Sequence, residues 1–207
     1  MLQYMITQKI YDHDFVNPKP HVFRKSPAHA RIAVVTPPKN ASSLINYFWG
    51  DMDGKPTWEE GYDKCIAIKR DPVDRWVATV NMMKWRIASR FPEMTDDIEF
   101  WNRDPNDLAK LHNDYHGLFF EISEFCPQSL WIKDINHVDK YYVDDIDEIV
   151  SPMIGIPVQK EGPNAFWRNE SKSRKDKINL IDVDDLTVKS KQIIMDLYKV
   201  DYENGWC

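Results

Sequence analysis

The sequence lacks the features that mark secreted, membrane and disulfide-rich proteins. Its three cysteines are odd in number and show no metal-ligand spacing, so neither a disulfide framework nor a metal site is predicted. No uncharged apolar run approaches the roughly 20 residues that a membrane span requires. The N-terminus has no basic segment followed by an apolar one, so no signal peptide is predicted. We therefore expect a soluble, cytoplasmic protein.

Positive charge is also scarce, because the 27 lysines and arginines are outnumbered by 33 aspartates and glutamates, which gives a net charge of −6. This balance disfavours a broad nucleic-acid-binding surface. An acidic chain can still bind one anionic ligand where a few cations converge. The placement of individual lysines and arginines therefore decides which ligand the sequence predicts.

The chain has no internal repeat and no low-complexity linker. Its 207 residues suit one domain over 1–207 with a sizeable core, and most of its eight tryptophans are expected to pack in or around that core. Prolines at positions 18, 20 and 27 interrupt the beginning of the chain, so 1–30 is expected to be an irregular lead-in.

Strand and helix patterns alternate along the chain. Asp71-Pro72 supplies an N-cap and a first-turn proline for a long helix that should end before Pro92. Its predicted apolar stripe consists of Trp76, Val77, Val80, Met83 and Ile87. The predicted strands are 31–35, 65–69, 129–133 and 140–143, and the predicted helices are 42–50, 72–91, 105–125, 145–150 and 185–201, with a loop at 51–60. The alternation predicts an α/β domain with a mostly parallel sheet.

The segment PPKNASS joins the first of these strands to a helix. A helix N-terminus offers unpaired N–H groups, small residues let an anion approach the backbone, and Lys39 adds a full positive charge. The segment therefore has the parts of a phosphate-binding loop, although the glycines of the GxxxxGK[ST] pattern are absent. The alternative is a polar turn in which Lys39 is merely solvated.

A second cationic segment, IKRDPVDRWVATVN, follows the second strand. Arg70 ends the strand and Arg75 lies one turn into the next helix, where two guanidinium groups can bind a phosphate with bidentate hydrogen bonds. The alternative is an Asp-capped helix in which Asp71 and Asp74 neutralise the arginines.

Together the two segments resemble the nucleotide-binding motifs of sulfotransferases. PPKNASSL resembles the 5′-phosphosulfate loop, and IKRDPVDRWVAT resembles the 3′-phosphate motif, a strand followed by R-D-P-x-x-R and a helical serine. The late DLYKVDYE is similar to the final helix of carbohydrate sulfotransferases. The resemblance is good over 31–81 and loose near the C-terminus. It implies a P-loop-like three-layer α/β domain, with a central mostly parallel sheet flanked by helices, that binds 3′-phosphoadenosine 5′-phosphosulfate (PAPS).

The resemblance also implies roles for individual residues. Lys39 would contact the 5′-phosphosulfate and stabilise the leaving group, and Arg70 would bind the 3′-phosphate. The helical serine of the family is Ala78 here, so that contact is either missing or made by Thr79. Arg75 either compensates or braces the sheet. The remaining donors to the 5′-phosphosulfate would be Asn40, Ala41, Ser42 and Ser43.

A late basic run, RNESKSRKDK at 168–177, matches in position the family's loop that closes over the nucleotide. Its candidates for donor binding are Lys172, Ser173 and Arg174. The alternative is an exposed charged loop, which is how most such runs behave.

Transfer to a hydroxyl needs a base for its proton. His112 and His116 stand four residues apart on one predicted helix face, and related enzymes often have a histidine shortly before a Pro-Gln pair, here Pro127-Gln128. His116, which precedes that pair by eleven residues, a longer gap than the family's, is the first candidate, with His112, Glu59 and Glu60 as rivals. The alternative for each histidine is a surface or helix-packing residue. A metal bound by the two histidines would lack a third ligand, and the family resemblance requires no metal.

The resemblance thus implies a sulfotransferase that moves a sulfuryl group from PAPS to an acceptor hydroxyl, with carbohydrates among the candidate acceptors. Two alternatives stay open: a nucleotide-dependent phosphotransferase with a degenerate phosphate loop, and a non-catalytic relative that binds PAPS or a glycan. The absence of a glycine-lysine-serine loop counts against the first. Ala78 favours the second, whereas Lys39 counts against it.

Overall fold

A computed structural model describes six stretches of the chain. These are 21–24, 32–40, 64–120, 122–131, 138–146 and 179–206. The predicted helix at 42–50, the loop at 51–60 and the basic run at 168–177 lie outside the described residues.

The described strands form one four-stranded sheet in the order β1-β2-β3-β4. Strands β2 (Ile32–Thr36), β3 (Lys64–Lys69) and β4 (Val138–Tyr142) are parallel, and β1 (His21–Arg24) pairs with β2 in the antiparallel direction. The fold is therefore mixed α/β with a small, three-stranded parallel sheet, which confirms the class and the mostly parallel sheet predicted from the sequence.

The described helices are α1 (Pro72–Arg90), α2 (Thr95–Trp101), α3 (Pro105–Asp114), α4 (His116–Phe120), α5 (Gln128–Trp131), α6 (Val188–Leu197) and α7 (Lys199–Glu203). Single 3₁₀ turns lie at Ser123–Phe125, Val143–Ile146 and Val183–Asp185. Among these helices, none has the length and apolar composition to cross a bilayer.

Local sequence signals predict β2, β3 and α1 correctly. The β2 and β3 residues Val34, Val35, Ile66, Ala67 and Ile68 are fully buried, as a parallel strand covered on both faces requires. The Asp71 side chain accepts hydrogen bonds from the backbone N–H groups of Val73 and Asp74, and α1 ends at Arg90. The five residues of the predicted apolar stripe are all buried.

Three predictions are wrong where distant contacts decide the structure. The predicted strand at 129–133 is instead helix α5 over its described part, because the Asp201 carboxylate accepts from the backbone N–H groups of Gln128 and Ser129. The lead-in predicted to be irregular at 1–30 contains β1, which is a strand because it pairs with β2. The single helix predicted at 105–125 is divided into α3, α4 and a 3₁₀ turn, with the break at Tyr115.

The remaining elements are close to prediction. The strand predicted at 140–143 is β4, shifted by one or two residues, and the described part of the helix predicted at 145–150 belongs to a 3₁₀ turn. The C-terminal helix predicted at 185–201 is divided into α6 and α7. A short helix, α2, appears between α1 and α3, where no element was predicted.

Within the stretches that the structure describes, two clusters of buried side chains hold the helices together and attach them to the sheet. The larger joins α1, α2, α3 and α6, and its aromatic residues include Trp76, Trp101, Phe119, Phe125 and Tyr198. The smaller sets Val35 and Ala67 of the sheet against Trp131 and Trp206. The C-terminal segment therefore packs directly beside β2 and β3.

A buried carboxyl group near the larger cluster should make the free energy of unfolding depend on pH. Asp97 of α2 is buried, and burial, together with the charge of Asp96, raises its pKa to about 6. In an unfolded chain the pKa of an aspartate is about 3.9. The folded protein therefore loses stability as the pH rises through this window, because a buried side chain must ionise. Replacing Asp97 by asparagine should raise Tm at about pH 8 and change it much less at about pH 4.

The matched control is Asp184→Asn, since Asp184 is exposed. Its Tm should stay within about 1 °C of the wild type at either pH, as expected of a surface substitution. An equal gain in Tm for Asp97→Asn at both pH values would show that the gain does not depend on the ionisation of Asp97.

Candidate functional site

The turn that follows β2 holds an unusual backbone conformation. The Asn40 N–H donates to the Pro37 carbonyl over 3.2 Å, which closes the turn, and Lys39 lies at φ 71°. That angle falls in the left-handed region, which non-glycine residues rarely adopt and which surrounding contacts must maintain. The turn is therefore held in a defined shape at the carboxyl end of a parallel strand.

Two arginines hold this turn through its carbonyl groups. Arg75 Nε donates to the Pro38 carbonyl over 3.1 Å, and Arg70 Nη1 donates to the Lys39 carbonyl over 3.3 Å. Arg70 follows β3, the parallel neighbour of β2, so the tips of the two strands meet at one edge of the sheet. Ligands of open α/β sheets bind at this edge, beyond the carboxyl ends of the strands.

The side chains of Asn40 and Gln128 join the two strand tips. Asn40 Nδ2 donates to the Ile68 carbonyl over 2.8 Å and also to Gln128 Oε1. Gln128 Oε1 accepts from the Arg70 N–H over 3.0 Å, and Gln128 Nε2 donates to the Arg70 carbonyl over 2.7 Å. One buried side chain thereby fixes the backbone of Arg70 on both sides.

Four buried polar atoms at these tips have no hydrogen-bond partner in the part of the chain that the structure describes. They are Thr36 Oγ1, Asn40 Oδ1, Arg70 Nε and Arg75 Nη2. The two arginine atoms are donors of cationic groups, and a buried unpaired donor costs about 1–3 kcal/mol or more when charged. Acceptor oxygens of a bound anion can satisfy such donors.

Burial and neighbouring carboxylates set the electrostatics around the arginines. Burial lowers the pKa of Arg70, and Asp74, Asp144 and Asp71 act in the opposite direction. Burial likewise lowers the pKa of the fully buried Arg75. Both guanidinium groups stay charged, because arginine is not deprotonated in proteins. The strand tips therefore carry fixed positive charge, with carboxylates close enough to Arg70 to act on its pKa.

The structure brings together four of the predicted site residues, namely Lys39, Asn40, Arg70 and Arg75. Thr79 lies deeper in α1, fully buried, with its hydroxyl 2.9 Å from the Arg75 carbonyl and 3.3 Å from the Glu124 carbonyl. Its single hydroxyl hydrogen is directed at the backbone, so the structure does not give Thr79 the phosphate contact considered in place of the family's serine. Arg75 holds the turn after β2 through the Pro38 carbonyl, and its two predicted roles, compensating for the serine or bracing the sheet, stay predictions.

The two histidines have different environments. His116 is exposed on α4, with Nδ1 3.3 Å from the Asn113 carbonyl oxygen. His112 is buried, accepts a hydrogen bond from Trp76 Nε1 over 2.9 Å, and stacks on Phe119. Burial lowers the pKa of His112 to about 3, so this imidazole stays neutral at physiological pH. His112 is therefore a packing residue and not an accessible base.

The other predicted site residues are not covered by the structure. Ala41, Ser42 and Ser43 of the loop lie outside the described residues, as do Lys172, Ser173 and Arg174 and the alternative bases Glu59 and Glu60. Within the described ranges, no group of three or more His, Cys, Asp or Glu side chains is placed to hold a metal ion.

Sequence reasoning missed Gln128 and Asp201 as site residues. Asp201 is fully buried and accepts from the Gln128 and Ser129 N–H groups and from Ser129 Oγ, each over 2.8–2.9 Å. Gln128 is held in this way while its side chain reaches the strand tips. Both residues occur in stretches compared with the family, Pro127-Gln128 and DLYKVDYE, but no local pattern reveals that they meet across 73 residues of sequence.

Comparison with protein-family models, with curated proteins and with solved structures finds no match to this chain. The functional interpretation therefore depends on the two cationic motifs and on the geometry of the strand tips.

Proposed function

We propose that this protein is a sulfotransferase that uses PAPS as the sulfuryl donor and a hydroxyl group, with carbohydrates as the first class to test, as the acceptor. The proposal includes a P-loop-like three-layer fold, of which the three parallel strands would form the centre. It rests on the two motifs and on the position of their residues in space.

One observation carries the proposal: the cationic segments after β2 and β3 meet at a single edge of the sheet. The Arg70 guanidinium lies 3.3 Å from the Lys39 carbonyl oxygen, although the residues are 31 positions apart. A nucleotide with phosphates on both the 3′ and the 5′ position of its ribose needs a cationic group for each phosphate, and Lys39 and Arg70 provide one on each of the two segments. The unpaired buried nitrogens of Arg70 and Arg75 supply donors that anionic oxygens can satisfy.

In the proposed reaction the acceptor oxygen forms a bond to sulfur while the bond from sulfur to the bridging phosphate oxygen breaks. The products are a sulfate ester and 3′-phosphoadenosine 5′-phosphate (PAP), and the hydroxyl proton passes to a base. Lys39 is assigned to the charge that develops on the bridging oxygen, and Arg70 to the 3′-phosphate. His116 remains the predicted base.

Binding of PAP to the intact protein tests this assignment. PAP should raise Tm clearly more than AMP or ATP at equal concentration, because the ligand that binds the native state most tightly stabilises it most. The comparison isolates the 3′-phosphate, which AMP and ATP lack. Equal shifts for all three nucleotides would remove the basis for the role of Arg70.

Two arginine variants sharpen the same test. Arg70→Gln should weaken PAP binding about 10- to 100-fold, the loss expected for one hydrogen-bonded contact to a charged group. Arg103→Gln is the matched control, because Arg103 is exposed and lies over the Phe100 ring. Isothermal titration of each variant with PAP measures both effects.

A further inference from the structure

Gln128 uses its whole side-chain amide to connect separate parts of the chain. Its Oε1 accepts from Asn40 Nδ2 and from the Arg70 N–H, and its Nε2 donates to the Arg70 carbonyl and, over 3.5 Å, to the Trp206 carbonyl. The residue is fully buried. A glutamine amide has two donor and two acceptor positions, so these contacts account for all of them.

The contacts link the two halves of the proposed donor site. Asn40 is adjacent to Lys39 in the turn after β2, and Arg70 carries the guanidinium after β3. The amide plane of Gln128 therefore sets the distance between the two tips as well as the orientation of the Arg70 backbone. Small displacements at such a site weaken binding and slow transfer, because both depend on placing charged groups accurately.

Gln128 is itself fixed from the C-terminal side. Asp201 accepts from the Gln128 N–H at the start of α5, and the same carboxylate accepts from Ser129 N and Oγ. The chain of contacts thus runs from α7 through α5 to both strand tips, through hydrogen bonds that are buried at Asp201 and Asn40 and partly buried at Arg70.

We infer that Gln128 is a positioning residue for the donor site, one that holds the turn bearing Lys39 and the backbone of Arg70 at the spacing that the donor's two phosphates require. This inference rests on the proposed function. Gln128 touches no phosphate in this assignment and acts only through Asn40 and Arg70.

The first test replaces Gln128 by methionine, which has a similar volume and no amide. The dissociation constant of PAP should rise about tenfold, the factor that corresponds to about 1.4 kcal/mol. Hydrogen exchange at the Arg70 amide should become faster, because that N–H loses its acceptor. Should this variant fail to fold, Gln128→Leu also removes both the acceptor oxygen and the donors of the amide, and it should show the same changes.

A control separates positioning from general stability. Tyr198→Phe removes another buried hydrogen bond of the C-terminal region, from the Tyr198 hydroxyl to the Phe125 carbonyl over 2.7 Å. It should lower Tm to a similar degree and leave the dissociation constant of PAP within about twofold of the wild type. A Gln128 variant that binds PAP no more weakly than Tyr198→Phe would overturn the inference.

The two readouts also distinguish this inference from the proposed function. If the wild-type protein binds no PAP, the proposed function is wrong, whatever Gln128 does. Exchange at the Arg70 amide then decides the question by itself: unchanged exchange in Gln128→Met would overturn the positioning role, and faster exchange would support it.

Discussion

Replacing Lys39 by glycine should reduce the rate of sulfate transfer about 100- to 1,000-fold, the loss expected when one group that stabilises transition-state charge is removed. Lys39 is the cation assigned to the bridging oxygen, so its ammonium contributes most when that oxygen becomes charged. Uniform binding of the donor should change less than the rate of transfer.

Glycine is the informative replacement because of the backbone at this position. Lys39 has φ 71°, which glycine adopts without strain and alanine does not. The relief of strain and the greater entropy of glycine in the unfolded chain oppose each other, so the free energy of unfolding should change by less than about 1 kcal/mol. Lys39→Ala should lose the same activity and be less stable than Lys39→Gly.

The measurement is transfer of labelled sulfate from PAPS to a panel of glycans, phenols, lipids and peptides. Lys69→Ala is the control, because Lys69 stands at the tip of the neighbouring strand β3 but directs its ammonium to the Gly205 carbonyl and the Tyr142 ring. Near-normal turnover of Lys39→Gly, with any acceptor that the wild type uses, would refute the role given to Lys39.

The sequence predicts those parts of the fold that depend on neighbouring residues. An aspartate before a proline begins α1 through contacts two and three residues away, and uninterrupted β-branched and apolar runs predict β2 and β3. In contrast, α5 begins where a carboxylate 73 positions away accepts its first N–H groups. A pattern confined to SLWIK contains nothing of that partner, and its apolar composition is equally typical of a strand.

The same limit applies to the site. The motifs predict that Lys39 and Arg70 share an edge of the sheet, since both follow neighbouring parallel strands. They do not predict that Arg75 Nε donates to the Pro38 carbonyl, or that the Thr79 hydroxyl donates to a backbone carbonyl. These outcomes depend on partners that are distant in the sequence, because Pro38 lies 37 positions from Arg75 and Glu124 lies 45 positions from Thr79.

Replacing Asp201 by alanine should produce the largest loss of stability among the substitutions considered. The change leaves three buried donors, Gln128 N, Ser129 N and Ser129 Oγ, without the carboxylate that accepts from them. Each unpaired buried group costs about 1 kcal/mol or more, so the free energy of unfolding should fall by at least about 3 kcal/mol. For a chain of this size that loss lowers Tm by about 6–12 °C, which thermal denaturation measures directly.

Two further variants identify the cause of this loss. Asp196→Ala removes an aspartate from the exposed surface of α6, where its carboxylate accepts from Gln192 Nε2, and it should change the free energy of unfolding by less than about 0.5 kcal/mol. Asp201→Asn keeps one acceptor oxygen but turns an amide N–H₂ toward either the Gln128 N–H or the two donors of Ser129. Its stability should therefore lie between wild type and Asp201→Ala. A wild-type Tm for Asp201→Asn would mean that shape, rather than the acceptance of three hydrogen bonds, fixes α5 beside the strand tips.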